Sequence, residues 1–261
     1  MMPAAVFDTL APDYDASFTE SVLGRTLRRA VWSWLDGAFA PGDRVLELNC
    51  GTGEDAVHLA TRGVRMLATD GSSAMLDVAR TKIHDAGLDQ AIELRQLQIE
   101  QLHGLIAVLK GPLDGAFSNF GGFNCVTDVQ RAAQALAALL RPGARVILCL
   151  MGPLVPWEWV WFLGHGRPGK AFRRLTPRGV AWRGGTVRYP TIAAVRRAFA
   201  TGFTVRRAAG LGVLVPPTYA EGWAQRHPQL VARLDRWERR IEGWPVVPWL
   251  GDHYLLEMER R

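Results

Sequence analysis

The sequence predicts an α/β fold, a doubly wound and mostly parallel sheet with helices on both faces. Two observations predict it. Short apolar runs ending near Asn49, Asp70, Leu97, Asn119 and Leu150 alternate with helical stretches around 54–62, 73–86, 101–109 and 128–140. The first run, Arg44–Leu48, leads through Gly51 and Gly53 into a helix, and the second, Arg65–Asp70, ends in a carboxylate. A backbone that bends sharply beneath a ligand needs glycine, and an acid at the next strand end suits ribose hydroxyls. Together they are the layout of a nucleoside-binding βαβ unit.

The elements follow in order. Residues 1–43 read as a helical extension, with Phe7, Leu10, Tyr14 and Phe18 at helical spacing around Pro12, then Leu27, Val31, Trp34 and Leu35 on a second amphipathic helix. Residues 44–150 form the α/β core. Ligands in such sheets bind at the carboxyl ends of strands, and the glycine turn and Asp70 both fall there. The pattern breaks at 151–190, resumes through a helix at 191–200 and a strand within Gly202–Val215, breaks again over 216–250, and ends in a strand at Asp252–Met258. We expect one domain overall, with units 1–43, 44–150, 151–190, 191–215, 216–250 and 251–261. The two late inserts carry most of the tryptophans and are expected to form a helical cap over the site.

Composition narrows the class. A chain of 261 residues with 48% hydrophobic content can bury one large core. No apolar run spans a bilayer, and Met1–Asp8 has no basic region followed by an apolar core, so a cytoplasmic protein is expected. Cys50, Cys125 and Cys149 are too few and too scattered for a disulfide framework or a metal-binding pair, so no metal is expected. The net charge of +6 permits an anionic partner without requiring one.

The glycine turn admits two ligand classes. Gly51-x-Gly53-x-x-Ala56 is a permitted dinucleotide pattern. However, Glu47, Glu54 and Asp55 cluster about the turn, where they would repel a pyrophosphate and attract an ammonium group. The stretch Glu47-Leu-Asn49-Cys-Gly51-Thr-Gly53 resembles the first motif of class I S-adenosylmethionine-dependent methyltransferases, with Asn49 in place of a glycine. Asparagine tolerates left-handed backbone angles better than most residues. Asp70-Gly-Ser-Ser-Ala-Met75, Leu97-Gln98-Ile99-Glu100, Ser118-Asn119-Phe120-Gly121 and Leu140-Arg-Pro-Gly143 extend the resemblance in order along residues 5–150.

The resemblance implies seven strands with the last antiparallel, and S-adenosylmethionine as cofactor. It also implies roles. Glu47 would face the cofactor's amino group, with Asn49 and the backbone of Cys50, Gly51, Thr52 and Gly53 near the methionine moiety. Asp70 and Gly71 would meet the ribose, and Met75, Gln98, Ile99 and Glu100 the adenine. Asn119 would line the edge nearest the substrate, and a segment carrying Tyr14 would close over the cofactor.

On the acceptor side, Phe120, Asn124, Trp157 and Trp161 are candidate substrate contacts. Trp157 and Trp161 lie four apart and share a face if helical, though core packing is the alternative for each. Glu158 and His165 are candidate catalytic bases, with His253 and Tyr254 also considered; His58 reads as structural, and His84 and His103 as solvent-facing. The expected activity is in-line methyl transfer to a small lipophilic or aromatic molecule under the Trp-rich cap. Three alternatives stay open: methylation of a membrane-associated lipid, with transient membrane contact; methylation of RNA or protein, although no nucleic-acid-binding module is visible; and cofactor binding without catalysis, as a regulator or partner subunit. Oligomeric state is not legible.

Overall fold

The computed structural model describes residues 5–261; the first residues of the 1–43 extension, and of the Met1–Asp8 segment, lie outside it. Two short helices, α1 (Ala5–Asp8) and α2 (Ala11–Tyr14), lead through a wide π turn at Asp15–Thr19 into α3 (Val22–Ala38). Pro12 falls in the first turn of α2, where its missing N–H has no helical partner to lose. Ser21 caps α3 by accepting the Gly24 N–H.

The core then alternates through β1 (Arg44–Leu48), α4 (Glu54–Thr61), β2 (Arg65–Asp70), α5 (Ser73–Asp85), β3 (Ile92–Gln96), α6 (His103–Ile106), β4 (Leu113–Ser118), α7 (Val129–Leu139) and β5 (Leu140–Met151). Ser72 and Asp128 cap α5 and α7. After β5 come α8 (Pro156–Gly164), α9 (Pro168–Ala171), the small strands β6 (Val180–Trp182) and β7 (Gly185–Val187), and α10 (Ile192–Phe199). The chain ends through β8 (Phe203–Leu211), α11 (Glu221–Arg226), α12 (Pro228–Ile241) and β9 (His253–Arg260).

Seven strands form one sheet in the order β3-β2-β1-β4-β5-β9-β8, and β9 runs antiparallel to both neighbours. The order reverses between β1 and β4, which opens a crevice at their carboxyl ends. Side chains alternate across the sheet: Ile147 and Cys149 join the core beneath α3, α4 and α5, whereas Val146, Leu148 and Leu150 join the core beneath α7 and α10. The segment Leu140–Gly143 is drawn into β5, as an irregularity that shifts its register with β4.

The two inserts meet where Trp161 and Phe162 of the first pack on Tyr219 of the second. Residues 216–250 dock beside α3: Ala220, Ala224 and Val231 pack in the same core as Leu23, Leu27 and Val31. Glu238, fully buried on α12, fixes this insert by accepting backbone N–H groups from Gly212, Val213, Leu214 and Val215. Among the described residues, no helix is long and apolar enough to cross a membrane.

Candidate functional site

A cavity of about 510 Å³ opens at the carboxyl ends of β1, β2 and β4. It merges with a smaller recess through shared walls at Phe7, Asn49, Asp70, Gly122 and Cys125. The backbone at this edge is unusual: Asn49 has φ 58°, Gly51 φ 53° and Phe120 φ 47°. Asn49 thus adopts the left-handed conformation that its place in the glycine motif calls for. Phe120 adopts it too, although left-handed angles cost an aromatic residue roughly 1–3 kcal/mol. The ring is held from three sides, edge-on to Phe18 at 5.0 Å, edge-on to His253 at 5.7 Å, and beneath the Arg28 guanidinium at 5.0 Å.

Three carboxyls surround the glycine turn, in different electrostatic states. Asp70 accepts N–H groups from Gly51 at 2.9 Å and Ser72 at 2.9 Å, yet burial still pushes its carboxyl above the usual range. Glu47 is buried with one carboxylate oxygen unpartnered; burial first, then the charge of Asp55, pushes it well up. Burial would also raise Asp55, but Arg28 outweighs it and holds this carboxyl low. Asp55 accepts from Arg28 Nη1 at 2.7 Å, Trp32 Nε1 at 2.7 Å and Asn119 Nδ2 at 2.8 Å. Asn119 is thereby oriented, and its Oδ1 is left buried without a partner. Oxygens of Glu47, Asn49 and Asn119 are therefore all unpaired at adjoining strand ends. Buried acceptors in that state are costly unless a donor arrives.

Of the expected cofactor residues, Tyr14, Asn49, Gly51, Asp70, Gly71, Met75, Gln98, Ile99, Glu100 and Asn119 line the cavity or its recess. Glu47, Cys50, Thr52 and Gly53 lie behind that lining. Thr52 instead clips the turn to the N-terminal segment, its hydroxyl donating to Asp15 at 2.7 Å.

On the acceptor side Phe120 lines the cavity, and several other expectations are corrected. Glu158 is 1% exposed, ion-paired with Arg173 and Arg174 and absent from the cavity lining, so it is not placed to take a substrate proton. His165 sits on the exposed end of α8, stacked on Trp161 and bonded to the Trp161 carbonyl. Asn124 is buried and structural: it donates to the carbonyls of Met151 and Arg188 and accepts from the Met151 N–H. Trp157 and Trp161 are not cavity-lining; Trp161 packs on Tyr219 and the core beneath α3. Trp161→Ala is accordingly expected to lower stability by about 3 kcal/mol, measured by thermal melting, with ligand affinity at the strand ends unchanged.

The acceptor wall comes from elsewhere. Arg173, Val180, Trp182, Val187 and Tyr189 form one side, Phe7, Leu10 and Tyr14 the other, and Met151 closes the floor. The β6–β7 hairpin was readable in principle: Arg183-Gly184 between two short apolar runs is a tight-turn signal, and both residues have positive φ, 44° and 83°. Arg173 is the cation of the wall. Its Nη2 binds Glu158, while its Nε is buried and unpartnered. The phenols of Tyr14 and Tyr189 are pushed up by burial, so they are neutral donors near pH 7 rather than bases. Among the described residues, no group of acids, histidines and cysteines is placed to hold a metal ion.

Comparison with known proteins agrees with this geometry. Residues 45–143 match the family model described as a methyltransferase domain. A demethylmenaquinone methyltransferase of Clavibacter sepedonicus is 29% identical over 149 residues, 56% of each chain. A 2-phytyl-1,4-naphtoquinone methyltransferase of Synechococcus elongatus is 34% identical over 162 residues, 58% of this chain and 64% of that one. The match therefore spans a little over half the length of these relatives. A crystal structure of an S-adenosylmethionine-dependent methyltransferase from Mesorhizobium loti has the same fold, with TM-score 0.56 and 18% identity, covering 93% of this chain and 99% of the other.

Proposed function

We propose that this chain, whose residues 45–143 match a methyltransferase domain, is a class I S-adenosylmethionine-dependent methyltransferase that methylates a small lipophilic aromatic molecule carrying an ionisable oxygen. The observation that carries the reading is a cavity and an adjoining recess with unlike linings. The strand-end recess is lined by carboxyl and amide oxygens, whereas the outer wall is lined by Phe7, Leu10, Phe120, Val180, Trp182 and Val187. The unpaired oxygens of Asn49 and Asn119, which line the cavity, suit the donors of an ammonium group.

When bound, S-adenosylmethionine supplies a methyl group already activated by its sulfonium. The chain's residues would do the rest. Asp70 would accept the ribose hydroxyls through its free lone pairs, and Met75, Ile99 and Gln98 would bracket the adenine. The apolar wall would exclude water and hold the acceptor in line. Arg173 would favour the ionised form of the acceptor's oxygen through its unpartnered Nε. An acceptor methylated on its ionised oxygen has no proton left to lose and needs no protein base, which fits a wall whose phenols are both pushed up. The relatives named for demethylmenaquinone and phytyl-naphthoquinone support an aromatic acceptor with an apolar tail.

Calorimetric titration with S-adenosylmethionine, S-adenosylhomocysteine and NAD, followed by transfer of labelled methyl to hydroquinones with and without a prenyl tail, tests the proposal. We expect both sulfur ligands to bind, NAD not to, and the tailed acceptor to be preferred. Tight NAD binding with no sulfonium binding would overturn it. Asp70→Ala should weaken cofactor binding by about 1.5–3 kcal/mol, the range for hydrogen bonds to a charged group. An unchanged dissociation constant would show that Asp70 does not hold the ribose.

A further inference from the structure

Between Glu158 and Glu221 the sequence contains no aspartate or glutamate, and eleven arginines and lysines. The first half of this stretch builds the outer wall of the cavity. It also leaves large apolar side chains in solvent: Val160 is 68% exposed, Leu163 49% and Phe172 46%, with Leu175 and Trp182 also exposed. Exposed cations are interleaved with them at Arg167, Lys170, Arg178 and Arg183. The surface is continuous, because α8 packs on α9 and Trp159 meets Phe172 at 5.9 Å between ring centres. It also reaches the cavity, since Trp182 is both exposed and part of the wall that Arg173 shares.

We propose that this acid-free face, α8 through β7, docks on an anionic lipid bilayer and sets the cavity mouth against it. An exposed apolar patch needs a partner to cover it. Here the partner's chemistry is indicated by charge. Cations set among Leu, Phe and Trp side chains match a surface that offers anionic headgroups above an acyl boundary. A protein partner would have to be acidic and apolar at once over the same area, and nucleic acid would leave the apolar side chains uncovered. The site's position adds a reason: a tailed acceptor could pass from the bilayer to the Trp182 wall without crossing water. That use rests on the function proposed above, whereas docking itself does not.

The second exposed aromatic patch provides an internal control. Trp237 and Trp244 are exposed beside Arg240, but on the 216–250 insert, where Asp235, Glu238 and Glu242 offset the charge. Co-sedimentation of the full chain with phosphatidylcholine–phosphatidylglycerol vesicles, and with phosphatidylcholine alone, tests the proposal. We expect binding to the anionic vesicles only, weakening as salt rises. The double variant Lys170→Glu/Arg178→Glu should weaken it by about tenfold or more. Leu163→Ser/Phe172→Ser should also weaken it, with the salt dependence kept. Trp237→Ala/Trp244→Ala should leave it unchanged, and thermal melts check that each variant is folded. Equal binding to both vesicle types, loss of binding in the Trp237/Trp244 variant alone, or binding of a single-stranded RNA oligonucleotide with none to vesicles would each overturn the proposal. Cofactor calorimetry on the same samples shows separately whether the methyltransferase reading stands.

Discussion

Arg174→Met is expected to destabilise the protein by about 3–5 kcal/mol, the cost of breaking a buried ion network by removing one member. Arg174 joins four parts of the chain. Its Nε donates to Glu158 on α8 at 3.0 Å and its Nη2 to Asp252 at 2.6 Å. Its Nη1 reaches the carbonyls of Asp252 at 3.0 Å and Gly152 at 3.3 Å, and its guanidinium lies over Tyr189 at 5.1 Å. Methionine replaces the apolar stem but leaves the buried Asp252 carboxylate without its arginine and Glu158 with Arg173 alone. The pH dependence separates this account from simple loss of packing. Burial would raise the Asp252 carboxyl, but Arg174, with help from His253, holds it well below the usual range. A carboxyl depressed in the folded state contributes stability above its unfolded value of about 3.9, and that contribution is lost as pH falls further. Urea unfolding between neutral pH and about pH 3 should therefore show a steeper acid loss in wild type than in Arg174→Met. Parallel curves would mean that the arginine contributes packing alone.

Asp55→Ala is expected to cost about as much, roughly 3–5 kcal/mol, because the Arg28 cation is left buried without its partner. It should also affect function. Asn119 is aimed by Asp55, so its unpartnered oxygen loses its fixed position at the cavity edge. Cofactor affinity should fall by about tenfold, or 1.4 kcal/mol. Adding Arg28→Met should recover much of the stability, since it removes the unpaired charge, but not the affinity, since Asn119 remains unsupported. Denaturation and calorimetry on the single and double variants check this. Recovery of affinity together with stability would show that Asp55 acts on global folding only.

The sequence was most legible where the demand on a residue is local. A glycine turn after a short strand, an acid at the next strand end and a helix cap are each specified by neighbouring residues. The β1–β2 unit and Asp70 were therefore readable directly, whereas the run from Gln98 to Glu100 was legible only through the family resemblance. Asn49 belongs with the former, because its side chain eases a conformation the turn requires. Legibility failed where a side chain's role depends on what comes to meet it. Glu158 between two tryptophans looked like a carboxyl free to act, but Arg173 and Arg174 close on it, and Arg174 is itself held by Asp252 from a distant part of the chain. Trp157 and Trp161 share a helical spacing, but nothing in that spacing says which face the rest of the fold covers. The left-handed angle at Phe120 carried no signal, since its support comes from Phe18, Arg28 and His253 on three separate elements.

The cavity's two walls come from segments far apart in the chain, and they meet at small contacts. Phe7 touches Trp182 with ring centres 6.0 Å apart, and Thr9 meets Arg183 at 3.5 Å. Neither contact is knitted into the sheet. The enclosure is thus a seam rather than a shell. A bulky guest would enter and leave by parting it, so the residence time of product would be governed by an aromatic pair in the cavity's own wall. Loosening Phe7 or Trp182 would then alter tempo before it altered chemistry.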